Sequence, residues 1–252
     1  MYEYDHILDW AAIHQHDPNQ ITLLCDQHHR EKTSGLLPIA DVREANAAPA
    51  NRKTGVSAPY SLHYQGDSCE AVMGSNRASA STQGDFVALM VDGFPLIGFR
   101  FEDGHYLLNI CLFDEANQLV LRIADNELTY ATHPWDLEMV GRRLIIRSAL
   151  AQVFIDIRFE PPNLVYFDRG RLLFNGVEII IRPEFFFLVN TSSLFQGNSC
   201  VGSVVAFNIG SDPRNLSCAF RFPGIPRYGV DRAAILRSAR NKLSAENAGG
   251  LG

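Results

Sequence analysis

Five of the eight histidines in this 252-residue chain fall within its first 35 residues: His6, His14, His16, His28 and His29. They share the stretch with Asp5 and Cys25, in the order Asp5-His6, then Leu24-Cys25-x-x-His28-His29, then Glu31-Lys32-Thr33. Carboxylate, imidazole and thiolate are the side chains that hold divalent metals. A carboxylate and an imidazole on one ion leave coordination positions open for water and an anionic substrate. A neutral imidazole, with a pKa of about 6.5, is also the natural general base near neutral pH.

These residues need elements to position them. Tyr4-Asp5-His6-Ile7-Leu8 reads as a strand carrying Asp5 and His6, with Asp9 and Trp10 ending it. His14 and His16 fall in the turn that follows and are expected to face solvent, with His16 able to reach a phosphate. Ile21 to Leu24 reads as a second strand running into a helix that starts near Asp26, a plausible N-cap. Glu31 and Lys32 are expected to be exposed on that helix. A unit of about thirty residues is too small to bury a core alone, so a metal or a neighbouring domain must hold it. Alone, His6 on an apolar strand would read as an ordinary core histidine. Cys25-x-x-His28-His29 and Lys32-Thr33 downstream tip the reading towards a chemical site.

The spacing resembles the HNH endonuclease family over residues 4–33, about an eighth of the chain. That family carries an Asp-His or His-His pair on its first strand, an Asn in the loop or second strand, and a His on the helix. The resemblance implies a ββα-metal motif. It implies His6 as general base for phosphodiester hydrolysis, and Asp5 and His29 as ligands of one catalytic divalent ion: Mg, Mn, Ni or Zn. Counting back from Cys25, the family's Asn falls on Gln20, with Asn19 one place earlier, so the loop-fixing amide is Asn19 or Gln20. Relatives with a Cys-x-x-Cys knuckle use the equivalents of Cys25 and His28 in a four-ligand structural zinc site. This sequence supplies Cys25 and His28 of that set, a partial zinc site.

The rest of the chain reads differently. Residues 36–84 suggest a short helix, with Pro38 in its first turn and Ile39 to Ala45 following, and then a linker rich in Ala, Asn, Ser, Gly and Pro. Residues 85–210 contain apolar runs of strand length: FVALMV, PLIGFRF, YLLNICLF, QLVLRIA, ELTYAT, RLIIRS, VFIDIRF, NLVYF, RLLF, VEIIIR and FFFLV. Breaks are expected at Asp92-Gly93, Asp103-Gly104, Glu115-Ala116-Asn117, Asp125-Asn126, Pro161-Pro162-Asn163, Arg169-Gly170 and Asn175-Gly176. The fold class is therefore mainly β with a small α+β head. The β-rich domain is expected to be solenoid-like, with a sandwich as the alternative, because Asn117, Asn126 and Asn163 precede new strands as in stacked turns. Residues 211–252 form a basic segment with a helix over 230–243.

Composition bounds the function. Net charge is −6, so the chain as a whole does not attract nucleic acid. Residues 214–242 nevertheless carry seven basic residues against Asp231. DNA contact is expected there, through Arg227, Arg232, Arg237, Arg240 and Lys242. The five scattered cysteines and the lack of a signal-like start fit a cytoplasmic protein. No apolar run is long enough for a membrane helix.

Two functions follow. The first is a metal-dependent DNA endonuclease, a layout common by analogy in restriction and phage defence. The second is a non-catalytic binding or assembly protein whose β-rich domain is the working part, through homo-oligomerisation or partner binding, with the head a degenerate remnant.

Overall fold

A computed structural model describes residues 2–8, 10, 14–49, 55–56, 59–81, 83–131 and 136–227. The expected helix over 230–243 lies outside them, as do Arg232, Arg237, Arg240 and Lys242.

The head begins with β1 (Tyr2–His6), and a 3-10 turn (Pro18–Gln20) immediately precedes β2 (Ile21–Cys25). The two strands pair antiparallel from Tyr2↔Cys25 to His6↔Ile21. α1 (Asp26–Thr33) follows directly, and α2 (Ile39–Ala47) comes after a short turn. Strand, loop, strand and helix thus stand in the expected order. Successive strand residues face opposite ways. Thr22 and Leu24 are buried on the inner face, while Tyr4 and Leu23 are exposed on the outer one. Ile7, Leu24 and Val42, with Leu37 beside them, form a small apolar cluster of their own. Thr22 Oγ1 donates to Asn46 Oδ1 at 2.9 Å, which ties α2 to the hairpin. Asp26 does not cap α1. It is the first helical residue, and the capping position is Cys25.

The body is built from hairpins: β3 (Tyr60–Ser61), β4 (Cys69–Met73), β5 (Asn76–Ala80), β6 (Phe86–Val91), β7 (Phe94–Glu102), β8 (His105–Phe113), β9 (Leu119–Ala124) and β10 (Glu127–Tyr130). Next come β11 (Asp136–Val140), β12 (Arg143–Ala149), β13 (Gln152–Glu160), β14 (Leu164–Phe174), β15 (Val177–Arg182) and β16 (Phe185–Leu188). The last strands are β17 (Ser193–Phe195), β18 (Ser199–Val201), β19 (Val205–Ile209) and β20 (Cys218–Phe222). Alternation sets the inner face: Tyr106, Leu108, Ile110 and Leu112 of β8 are buried, as are Val177, Ile179 and Ile181 of β15.

β6 to β10 form one antiparallel meander and β11 to β16 a second. The two meanders meet directly at one antiparallel pairing, Leu173 of β14 with Phe113 of β8, while parallel pairs attach further strands: β4 to β14, β18 to β5 and β19 to β6. Among the described residues these ladders branch at β14 but close into no ring. A solenoid would pair successive coils in parallel, whereas within both meanders neighbouring strands in sequence pair antiparallel, and β19 with β20 is a parallel pair of sequence neighbours. The turn chemistry explains the difference. Asp92-Gly93, Asp103-Gly104, Asp125-Asn126 and Asn175-Gly176 all hold both residues at positive φ. That is the type I′ geometry that folds a strand straight back on itself.

Three further expectations change. Residues 69–80, read as linker, are the β4–β5 hairpin, and its Cys69, Ala71 and Ala78 are core residues. Small apolar residues among Ser and Asn hid the alternation. Strand also continues past 210, as β20. Arg169-Gly170 is not a break: NLVYF and RLLF are one strand, β14. Gly170 sits there at φ +144, where a Cβ would lie 2.6 Å from Phe154 O and 2.7 Å from Ile155 Cα of β13. Glycine marks a close backbone approach beside a register shift between Asp156 and Ile157, not a turn.

All five cysteines are free thiols. Burial pushes the Cys69 thiol up to about 12, as befits a core group. No helix among the described residues is long and apolar enough to cross a membrane.

One charge in the body is fully buried with half-exposed partners. Asp156 on β13 accepts from Arg143 Nε at 2.8 Å and Nη2 at 2.7 Å, and from Arg169 Nε at 3.3 Å. Burial works to raise its pKa, but the two guanidiniums outweigh that and hold the carboxyl below its usual range. The folded state therefore releases this proton more readily than the unfolded chain, whose Asp titrates at about 3.9. The resulting stability is fully present above that value and is lost as pH falls through the lower folded value. Urea midpoints measured from pH 6 down to pH 2 are expected to fall steeply at the acid end, and Asp156→Asn to flatten that part of the profile. A variant profile parallel to wild type would refute the assignment.

Candidate functional site

The head brings its chemical residues together in pairs. Asp5 lies near the end of β1. His29 and Lys32 are three residues apart on α1, so they share one helix face, and both face the Asp5 carboxylate. His29 Nε2 is 3.7 Å from Asp5 Oδ1, and Lys32 Nζ is 3.0 Å from Asp5 Oδ2. The carboxylate is 15% exposed and the lysine side chain 4%. Lysine is almost never buried this fully without a partner, and Asp5 is that partner. The expectation that Lys32 is exposed is therefore corrected: the face that carries His29 inward carries Lys32 with it.

The second pair lies at the end of β1. His6 and His16 share a hydrogen bond, Nε2 to Nδ1, at 3.1 Å. The Trp10 ring stacks on His16 at 4.5 Å and lies 5.4 Å from His6. Trp10 is thus a helical residue whose ring packs on the two imidazoles rather than the end of β1, which stops at His6. Asp9 lies outside the described residues. His16 is exposed, as expected of a loop position, but it is tied to His6. Spacing alone could not show this, because the loop between the strands must fold back to bring position 16 beside position 6.

The third pair is Cys25 and His28, with Sγ 3.3 Å from Nδ1. They stand three residues apart across the start of α1 and contact each other directly.

The two candidate amides make different contacts. Asn19 donates from its backbone N at 2.9 Å and from Nδ2 at 3.1 Å to Asp17 Oδ1. Gln20 contributes its backbone: its carbonyl accepts from Ile7 N at 2.7 Å. Its Oε1 is buried without a hydrogen-bond partner among the described residues.

Asp5 and His29 are a plausible two-donor fit for one ion. Donors about 2.0–2.1 Å from a tetrahedral metal stand about 3.3 Å apart. The observed 3.7 Å needs a closure of a few tenths of an ångström. Among the described residues, no three His, Cys, Asp or Glu side chains group as a metal-holding set.

The described arginines of the basic segment contact the body. Arg227 Nη2 is 3.0 Å from Asp92 Oδ1, with the Arg227 side chain 12% exposed and the Asp92 side chain fully buried. Arg214 donates to Gly93 O at 3.0 Å, and Arg221 to Leu216 O at 2.6 Å. Arg227 is therefore not presented to a phosphate, which corrects its expected DNA contact. A buried aspartate requires a cation, and Arg227 supplies it.

Comparison with known proteins finds no match to any family profile, curated protein or solved structure.

Proposed function

We propose that the head is a metal-dependent endonuclease centre that hydrolyses DNA phosphodiester bonds. The observation that carries this reading is the Asp5 carboxylate set beside the His29 imidazole, with His6 next in the chain. A bound divalent cation would supply positive charge to the scissile phosphate and the leaving oxygen. Asp5 and His29 would hold it, and their small number leaves room for phosphate and water. His6 takes the proton from the attacking water. His16 and Trp10 hold the His6 ring in place, and Asn19 holds the loop that carries them. The Cys25–His28 pair offers half of a structural zinc site. The β body serves substrate binding, self-association or sensing, in keeping with a restriction or defence role.

One observation favours a second reading: Lys32 compensates the charge of the Asp5 carboxylate without any metal, although Asp5 Oδ2 makes no hydrogen bond among the described residues. On that view the head is a remnant and the body is a binding or assembly module.

A plasmid assay separates the two. Supercoiled DNA incubated with the protein and Mg, Mn, Ni or Zn is expected to be nicked or linearised with at least one of them. Chelation with EDTA is expected to abolish the cleavage. Intact plasmid with all four metals would refute the nuclease reading and leave the assembly module.

A further inference from the structure

Lys32 and His29 meet opposite oxygens of one carboxylate, and this arrangement has a consequence for metal loading. We propose that Lys32 is a tethered cation that occupies Asp5 in the metal-free protein and must be displaced, or its ion pair loosened, before a divalent ion binds between Asp5 and His29. The proposal rests on the reading of Asp5 and His29 as metal donors.

The geometry carries the argument. The ammonium is 3.0 Å from Oδ2, a full ion-pair contact, whereas the imidazole stands off at 3.7 Å from Oδ1. The lysine side chain is 4% exposed, so little water screens the pair. Its stem lies against the head, fixed by the same helix that presents His29. A divalent ion arriving at Asp5 therefore meets a positive charge already seated on the carboxylate that His29 faces. A ligand whose competent state is a minor fraction of the population binds more weakly by that fraction. Lys32 thus sets a threshold metal concentration for the head. It also keeps the carboxylate compensated, and so stable, when no ion is present.

The test measures Mn binding by calorimetry. Mn is a hard ion that discriminates against the Cys25 thiol. Lys32→Met keeps the apolar stem and removes the charge. It is expected to bind Mn about tenfold more tightly than wild type, the reciprocal of a competent fraction of roughly one tenth. Lys32→Arg retains the charge and is expected to bind as weakly as wild type. Arg30→Gln removes a charge from an exposed position of the same helix and is expected to leave the affinity unchanged. Asp5→Asn is expected to abolish binding.

A second measurement on the wild-type protein covers the case in which Lys32→Met does not fold. The ¹³Cε resonance of Lys32 is expected to move with Mg occupancy, followed to saturation. Equal Mn affinity in wild type and Lys32→Met, or a Lys32 resonance unmoved at saturating Mg, would overturn the proposal and leave the nuclease reading intact. No binding in wild type or in folded Lys32→Met would overturn the metal site itself, and this inference with it.

Discussion

His6→Ala is expected to lower DNA cleavage by roughly 10²- to 10⁴-fold, the contribution of a well-placed general base. Attack of water on a phosphodiester requires a proton acceptor at the moment the new bond forms. Asp5 cannot serve easily, because its carboxylate already faces Lys32 at 3.0 Å and His29 at 3.7 Å. His6 is only partly buried and stands at the end of β1, where the chain turns away from the hairpin. Its hydrogen bond to His16, 3.1 Å long, restrains the ring. The substitution removes a partly buried side chain that is not part of the Ile7–Leu24–Val42 cluster, so the variant should melt with wild type. Mn binding at Asp5 and His29 should also survive. Loss of cleavage with binding retained identifies a base. Cleavage rates equal to wild type would remove His6 from the mechanism.

Asp92→Ala is expected to cost about 3–5 kcal/mol of stability, the usual result of breaking a buried ion pair from one side. Asp92 occupies the first position of a type I′ turn, at φ 52, with its side chain fully buried. Its Oδ1 accepts from Arg227 Nη2 at 3.0 Å and from Ser211 N at 3.0 Å, and its Oδ2 accepts from Asn175 Nδ2. One carboxylate therefore joins the β6–β7 turn, the β14–β15 turn, the end of β19 and the chain beyond β20. Alanine would leave the Arg227 guanidinium buried without that carboxylate. At roughly 2–4 °C per kcal/mol for a chain of this size, the melting temperature should drop by about 6–20 °C. Adding Arg227→Met to Asp92→Ala should restore part of the loss, since the stranded charge is then gone. A double variant no more stable than Asp92→Ala alone would show that Arg227 is not the group left uncompensated.

Local patterns were legible in the sequence wherever one residue type has one physical consequence. Alternating apolar runs marked β6 to β10, β12, β13, β15 and β16, because a half-buried strand has period two. Asp-Gly, Asp-Asn and Asn-Gly pairs marked the hairpin turns, because few other residues adopt positive φ twice in succession. The strand, turn, strand and helix order of the head followed from its residue pattern, while the grouping of Cys25 with His28 was what the resemblance to the HNH family implies. What the sequence left open was settled by contacts between distant segments. Gly170 looked like a turn until β13 lay against it. Lys32 looked solvated until Asp5 came beneath it, and Arg227 looked free for DNA until Asp92 was buried over it. His16 joined His6 only when the intervening loop folded back. In each case the side chain's role depends on which partner and how little water surround it, and those are properties of the assembled tertiary structure rather than of any short stretch of residues.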